Sequence, residues 1–259
     1  MRSPKPENYI ETGFKGLDAE HHRFSLGELI IIGGRPAMGK TQLMINLALN
    51  ISLKEPVLYY TFEMLAPVLS QRMLAVLSSV NMDKIRQNEL KEEETAKLRL
   101  AQAHLAKLQL YLNDSIRNCS VDVFEENCKR MIGEKGIKVI FIDYVQLMNA
   151  KRSGYHENQE TEMRCISRIL KAIAREHNVC VIASSQLSRP VEVLGGDQRP
   201  VLSDLRRSGV SEQDADKVIF LHRPEYCGIS EDENGLPTSG VANLILAKNR
   251  NGATNTILL

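Results

Sequence analysis

The chain lacks a charge excess of either sign: 33 Lys and Arg against 32 Asp and Glu leave a formal net charge of +1 over 259 residues. That balance excludes a grip on nucleic acid by bulk electrostatics, so any contact with DNA or RNA has to be local and assembled from a few loops. Paired cysteine spacing is missing too. The five cysteines (Cys119, Cys128, Cys165, Cys180, Cys227) are odd in number and contain no C-x-x-C, which reads as free thiols in a reducing compartment. No leader peptide and no apolar run of membrane-spanning length is visible, so the protein is expected to be soluble and cytoplasmic with no membrane partner. Internal repeats and low-complexity tracts are absent, and nothing marks a convincing second domain. The 43% apolar content suffices for one sizeable core.

What is there centres on one stretch. The apolar run Ile30-Ile31-Ile32 stops at Gly33-Gly34, and residues 34–41, Gly34-Arg35-Pro36-Ala37-Met38-Gly39-Lys40-Thr41, fit G-x-x-x-x-G-K-[ST]. An apolar pattern of helical period begins at Gln42. A triphosphate needs several N–H donors converging on it without side chains in the way. Gly34 and Gly39 let the backbone wrap the phosphates, and the helix starting near Lys40 aims its free N–H groups and positive dipole end at them. Lys40 is expected on the β- and γ-phosphates and the Thr41 hydroxyl on Mg²⁺. ATP and Mg²⁺ are therefore the expected cofactors, held by residues 34–42.

Around this loop, strands and helices alternate. Residues 1–11 are polar and read as a tail or linker remnant, and residues 12–259 as the folded domain. Strand signals fall at 28–32, 57–62, 110–112, 138–142, 179–184 and 217–222. Helical patterns fall at 42–53, 67–80, 121–132 (closed by Gly133) and in the segment bearing Met163, Ile166, Leu170 and Ile173. Leu98, Ala101, Leu105, Leu108 and Leu112 form a short stripe that reads as core-facing. Polar residues 150–160 read as a mobile loop, and residues 188–211 as a functional loop, being long for a connection without structure of its own. Residues 241–247 and 254–259 flank Asn251-Gly252, a strong hairpin signal. The pattern predicts one α/β domain: a mainly parallel twisted sheet, helices on both faces, a C-terminal hairpin.

In such a sheet ligands collect beyond the carboxyl ends of the strands. Asp143, after the apolar run 139–142, has the form of a Walker B aspartate that holds Mg²⁺ directly or through water, the plainer reading being a turn or capping aspartate. Glu63 ends the strand after the P-loop helix and fits a role in orienting or deprotonating an attacking water, or is a solvated strand end. Gln186 is placed to sense a γ-phosphate, which pattern alone does not separate from an exposed amide. Lys248 and Arg250, beside the Asn251-Gly252 turn, read on composition as a solvated hairpin tip. Their functional reading is a pair of cations inserted into a neighbouring subunit's site.

Seven segments occur in a familiar order: 35–41; Phe62-Glu63-Met64; Ile142-Asp143-Tyr144-Val145-Gln146-Leu147; Ser185-Gln186-Leu187-Ser188-Arg189; Ser203-Asp204-Leu205-Arg206; Glu212-Gln213-Asp214-Ala215-Asp216; and Ala247-Lys248-Asn249-Arg250-Asn251-Gly252. From Thr12 to the end the chain resembles the RecA-like motor domain of DnaB-type replicative helicases. The resemblance implies a RecA-like P-loop NTPase fold and a homohexameric ring around single-stranded DNA. It also implies ATP hydrolysis at subunit interfaces driving translocation and duplex unwinding.

By position, the resemblance makes Glu63 the catalytic glutamate, Asp143 the Walker B residue, Gln186 the γ-phosphate sensor, and Lys248 and Arg250 the cations acting in trans. It makes residues 203–209 a central-channel loop in which Arg206 and the Gly209 backbone meet phosphates. Arg207 stands where relatives commonly carry an acidic residue, an extra cation that either tightens DNA binding or is tolerated at a solvated position. The family's amino-terminal collar, which meets primase, has no counterpart here. The chain is thus expected to be one domain of a longer protein, with primase and loader contacts through other regions. Two further readings stay open: an ATPase of the recombination or clock-protein kind sharing the RecA fold, and a nucleotide-gated scaffold or helicase-loading partner that does not turn over.

Overall fold

A computed structural model describes residues 8–115, 120–148, 159–187, 199–207, 212–232 and 234–259, with Gln159, Glu160, Arg206 and Arg207 described by their backbone alone. The elements run β1 (Tyr9–Ile10), β2 (Phe24–Ser25), β3 (Leu29–Gly34), α1 (Lys40–Ile51), β4 (Val57–Thr61), α2 (Ala66–Ser78), α3 (Met82–Gln87), α4 (Glu92–Leu105), β5 (Leu110–Asn113), α5 (Val121–Lys135), β6 (Val139–Asp143), α6 (Gln159–Glu176), β7 (Cys180–Gln186), α7 (Leu202–Arg207), β8 (Lys217–His222), β9 (Asn243–Asn249) and β10 (Asn255–Leu258).

Eight strands form one sheet in the order β10-β9-β8-β3-β7-β6-β4-β5. From β8 across to β5 every neighbouring pair is parallel, and β9 and β10 close the other edge antiparallel. The central strands are apolar on both sides because both faces are covered. Ile30, Ile32, Tyr59, Phe141 and Ile182 point to the face carrying α1 and α2. Leu29, Ile31, Tyr60, Ile142 and Val181 point to the face carrying α5 and α6. Alternation along each strand thus splits the interior into two cores with β3 at the centre of both.

Several boundaries differ from the sequence reading, each for a local reason. Helix α5 does not stop at Gly133 but runs through it to Lys135, and Gly136 at φ 65° takes the left-handed cap that ends it. The stripe on α4 faces inward as expected, yet only Ala101 is fully buried, because α4 packs on α2 at the edge of the molecule. Within 188–211, the short helix α7 occupies the stretch read as loop, while 188–198 and 208–211 lie outside the described residues. Residues 159 and 160, read as loop, begin α6; residues 149–158 also lie outside. Tyr9 and Ile10, on the tail side of the expected boundary, pair with β2, and Ile10 is buried. Asp18 ties down the next turn by accepting from the Thr12 N–H at 2.7 Å and the Gly13 N–H at 2.9 Å. Among the described residues no helix is long and apolar enough to cross a membrane.

Candidate active site

Four of the proposed groups meet at the carboxyl end of the sheet because their strands are consecutive: β3 ends in Gly34, β7 in Gln186, β6 in Asp143, and Glu63 follows β4. In the register Gly34 lies opposite Gln186, and the Leu187 N–H donates to the Gly34 carbonyl at 3.1 Å. Thr61 lies opposite Asp143, and the Phe62 N–H donates to the Asp143 carbonyl at 2.9 Å.

The 34–41 loop has no room for bulk where it leaves β3. A Cβ on Gly34 would come within 3.2 Å of both the Leu221 carbonyl oxygen and Lys40 Cγ. Gly39, at φ 94°, caps the start of α1, so the loop turns sharply into the helix and aims the first N–H groups of α1 at the same space. Lys40 lies across the loop, donating to the carbonyls of Gly34 at 2.8 Å and Arg35 at 3.0 Å. Burial pushes its pKa down, while the neighbouring carboxylates of Asp143 and Glu63 push it up. An ammonium partly stripped of water, facing two carboxylates, in a glycine-lined cradle of N–H groups, is an arrangement that fits a magnesium-bound polyphosphate.

Asp143 is 5% exposed, and both oxygens are engaged. Oδ1 accepts from Ser184 Oγ at 2.6 Å and Oδ2 from Tyr59 Oη at 3.1 Å. Burial, followed by the charge of Asp143, raises the Tyr59 pKa well above its usual value, so the phenol remains a donor. One lone pair on each carboxylate oxygen stays available to a hydrated cation. Among the described residues no group of three or more His, Cys, Asp or Glu side chains is gathered to cage a metal. A donor set of one hydroxyl (Thr41) and one carboxylate suits Mg²⁺, which keeps its waters and takes phosphate oxygens for the rest. Glu63 is exposed beside this pair. Gln186 is exposed as well, and its main chain is clamped by Gln146, whose Nε2 donates to Ser185 Oγ at 2.8 Å and to the Gln186 carbonyl at 3.0 Å.

The two cations stand at the other end of the sheet. Because β9 runs antiparallel to β8, Lys248 lies opposite Val218 and Asn249 opposite Lys217, at the amino end of β8 and level with Ile31 and Ile30 of β3 respectively. Counted along β3 at about 3.3 Å per residue, Lys248 lies roughly 10 Å and Arg250, level with Leu29, roughly 16 Å back from the strand end at Gly34, and both are two strands to the side of β3. Lys248 belongs to the strand and not to a solvated tip. Its ammonium donates to the carbonyls of Glu212 at 2.6 Å and Ala215 at 2.7 Å, and burial, with Arg250 next, lowers its pKa. Arg250 pairs with Asp216 at 3.3 Å.

The side chains of Arg206 and Arg207, and Gly209 altogether, lie outside the described residues. Tyr59 and Ser184, which orient Asp143, and Gln146 in its orienting role escaped the sequence reading. A tyrosine and a serine inside apolar strands look like core residues, and only the alignment of β4, β6 and β7 turns them toward Asp143.

Residues 9–259 match the model of the DnaB-like helicase C-terminal domain. The chain belongs to that family. It is 41% identical over 254 residues to the replicative DNA helicase DnaB of Geobacillus stearothermophilus and 40% identical over 252 residues to the replicative DNA helicase DnaC of Bacillus subtilis (strain 168). In both cases 96% of the chain but 54% of the relative is covered, so the chain spans about half the length of the curated relatives it matches. Among solved structures, one ATPase domain superposes with a TM-score of 0.85 at 31% identity, covering 96% of this chain and 87% of that one. A DnaB-like replicative helicase, described with its interactions with primase, gives the same TM-score at 32% identity, covering 96% and 59%. The family's RecA-like fold is the one observed.

Proposed function

We propose that the folded domain, residues 12–259 together with the Tyr9–Ile10 strand, is the ATP-hydrolysing motor domain of a cytoplasmic replicative DNA helicase, working in a homohexameric ring that moves on single-stranded DNA and unwinds duplex. The observation that carries this reading is the division of the site between opposite ends of one sheet. Lys40, Thr41, Glu63, Asp143 and Gln186 gather at the carboxyl end, and Lys248 and Arg250 sit roughly 10 and 16 Å back along the strands towards the amino end, two strands to the side of β3. Within one subunit the cations are out of reach of a phosphate on the loop, whereas a ring stacks one subunit's amino-end cations against its neighbour's loop.

MgATP, when bound, would supply the scissile phosphoanhydride and a divalent charge to offset that of its phosphates. Residues 34–42 cradle the phosphates through main-chain N–H groups, and Lys40 neutralises them. Thr41 and Asp143 would hold the cation, Asp143 directly or through water, and Glu63 would orient or deprotonate the attacking water. Gln186 reads the terminal phosphate. From the neighbour, Lys248 and Arg250 balance charge developing in the transition state, a contribution of about 10³ to 10⁵ in rate in comparable enzymes. Arg206, Arg207 and the Gly209 backbone contact DNA phosphates, and six copies of so small a contact provide the grip that a net charge of +1 otherwise denies. Contacts with primase and a helicase loader are placed, in this reading, in other regions of a longer protein.

Steady-state phosphate release with single-stranded DNA tests the division. Glu63→Gln and Arg250→Ala are each expected to be silent alone, and a mixture to regain activity, because Glu63→Gln subunits lend Arg250 to Arg250→Ala neighbours. Silence of every ratio, with mixed assemblies present by mass measurement, would refute the trans reading.

A further inference from the structure

Arg250 has a side chain 45% exposed, and a long cation in that position is aimed only if something holds it. Asp216, 10% exposed, holds it twice. Its carboxylate Oδ1 accepts from Arg250 Nη1 at 3.3 Å, and its carbonyl accepts from the Arg250 main-chain N–H at 2.9 Å. The Gln213 carbonyl takes Arg250 Nη2 on the other side.

The carboxylate is itself fixed. Oδ2 accepts from Lys171 Nζ at 2.5 Å and from the Leu29 N–H at 2.8 Å, while the Asp216 N–H donates to the Leu29 carbonyl at 2.8 Å. Lys171, on α6, also donates to the Gly27 carbonyl at 2.9 Å. Leu29 opens β3, the strand that ends in the phosphate loop. One carboxylate therefore links the cation that leaves the subunit to the strand carrying that subunit's own nucleotide site. A partly solvated ion pair adds little stability, so the value of this one lies in direction.

The geometry assigns to Asp216 the role of positioning residue for Arg250 in the neighbouring site, with Lys171 setting the rotation of its carboxylate. The assignment rests on the trans reading above. In this role Asp216 acts by holding the guanidinium in register, and a misplacement of about 1 Å in such a constellation costs roughly 100-fold in rate.

The test uses full chains in mixed assemblies. Arg250→Ala subunits are mixed with Glu63→Gln donors that carry Asp216, Asp216→Glu or Asp216→Asn, and phosphate release is read beside the nucleotide affinity of each donor. The Asp216 donor is expected to restore activity, the Asp216→Glu donor to restore part of it, and the Asp216→Asn donor to fall at least tenfold below the first, within the misplacement range, with nucleotide affinity unchanged. Equal restoration by Asp216→Asn overturns the inference, because Arg250 then needs no carboxylate. So does a parallel loss of nucleotide affinity in that donor, which would make Asp216 a support of the domain at large. If the Asp216 donor itself restores nothing, the trans reading falls and takes this inference with it.

Discussion

Lys40 shows at the scale of one residue how a site holds energy against its own fold. Burial disfavours its charge, and the facing Asp143 and Glu63 return only part of that loss. A lysine with a lowered folded-state pKa binds its proton less tightly in the native than in the unfolded chain. Between the two pKa values the unfolded chain therefore holds more protons, and stability rises with pH across that interval, below the usual lysine pKa. Replacing Lys40 with Met should remove this slope and leave the melting temperature without added nucleotide unchanged or higher, while nucleotide binding is lost. Thermal melts from pH 7 to 10 alongside a nucleotide titration check it; a lower melting temperature throughout would mean that the bonds to the Gly34 and Arg35 carbonyls outweigh desolvation.

Elements are held at the amino end of the sheet by charges that the sequence pattern presents only as strand boundaries. Lys217, 2% exposed, donates to both oxygens of Glu28 at 2.6 and 2.5 Å, and Asn251 from the hairpin turn donates to the same carboxylate at 2.7 Å. This joins β8, the approach to β3 and the β9–β10 turn. Lys217→Met would leave the Glu28 charge buried with neutral partners, at a cost of about 3–5 kcal/mol. At about 2–4 °C per kcal/mol for a domain of this size, the melting temperature should drop by roughly 6–20 °C. Adding Glu28→Gln should recover much of the loss, and a double variant no better than the single would remove the pair from the argument. Strand positions were legible because apolar runs ended at Gly34, Asp143 and Asn251-Gly252. The end of α5 was misread because Gly133 and Gly136 are equally visible in the sequence, and only the backbone shows which adopts the left-handed cap. Pairing of Lys217 with Glu28, 189 positions apart, has no local signature.

At the scale of the whole molecule, the proposed function at a net charge of +1 would leave DNA binding to a few cations multiplied by assembly. Arg206→Ala should weaken single-strand binding across all sequences and lower the slope of log affinity against log salt by about one per cation lost in each contact. An unchanged slope would move the DNA contact off α7. The sequence by itself determined the phosphate loop, because G-x-x-x-x-G-K-T after a strand and before a helix is local chemistry, read within eight residues. It determined the alternation of strands and helices for the same reason. Only the tertiary structure decided that Gln186, Asp143 and Glu63 share one edge with that loop while Lys248 and Arg250 face away from it, since strand order and direction come from long-range pairing. In the proposed ring, that separation would make the site a property of two subunits, which no stretch of a single chain can display.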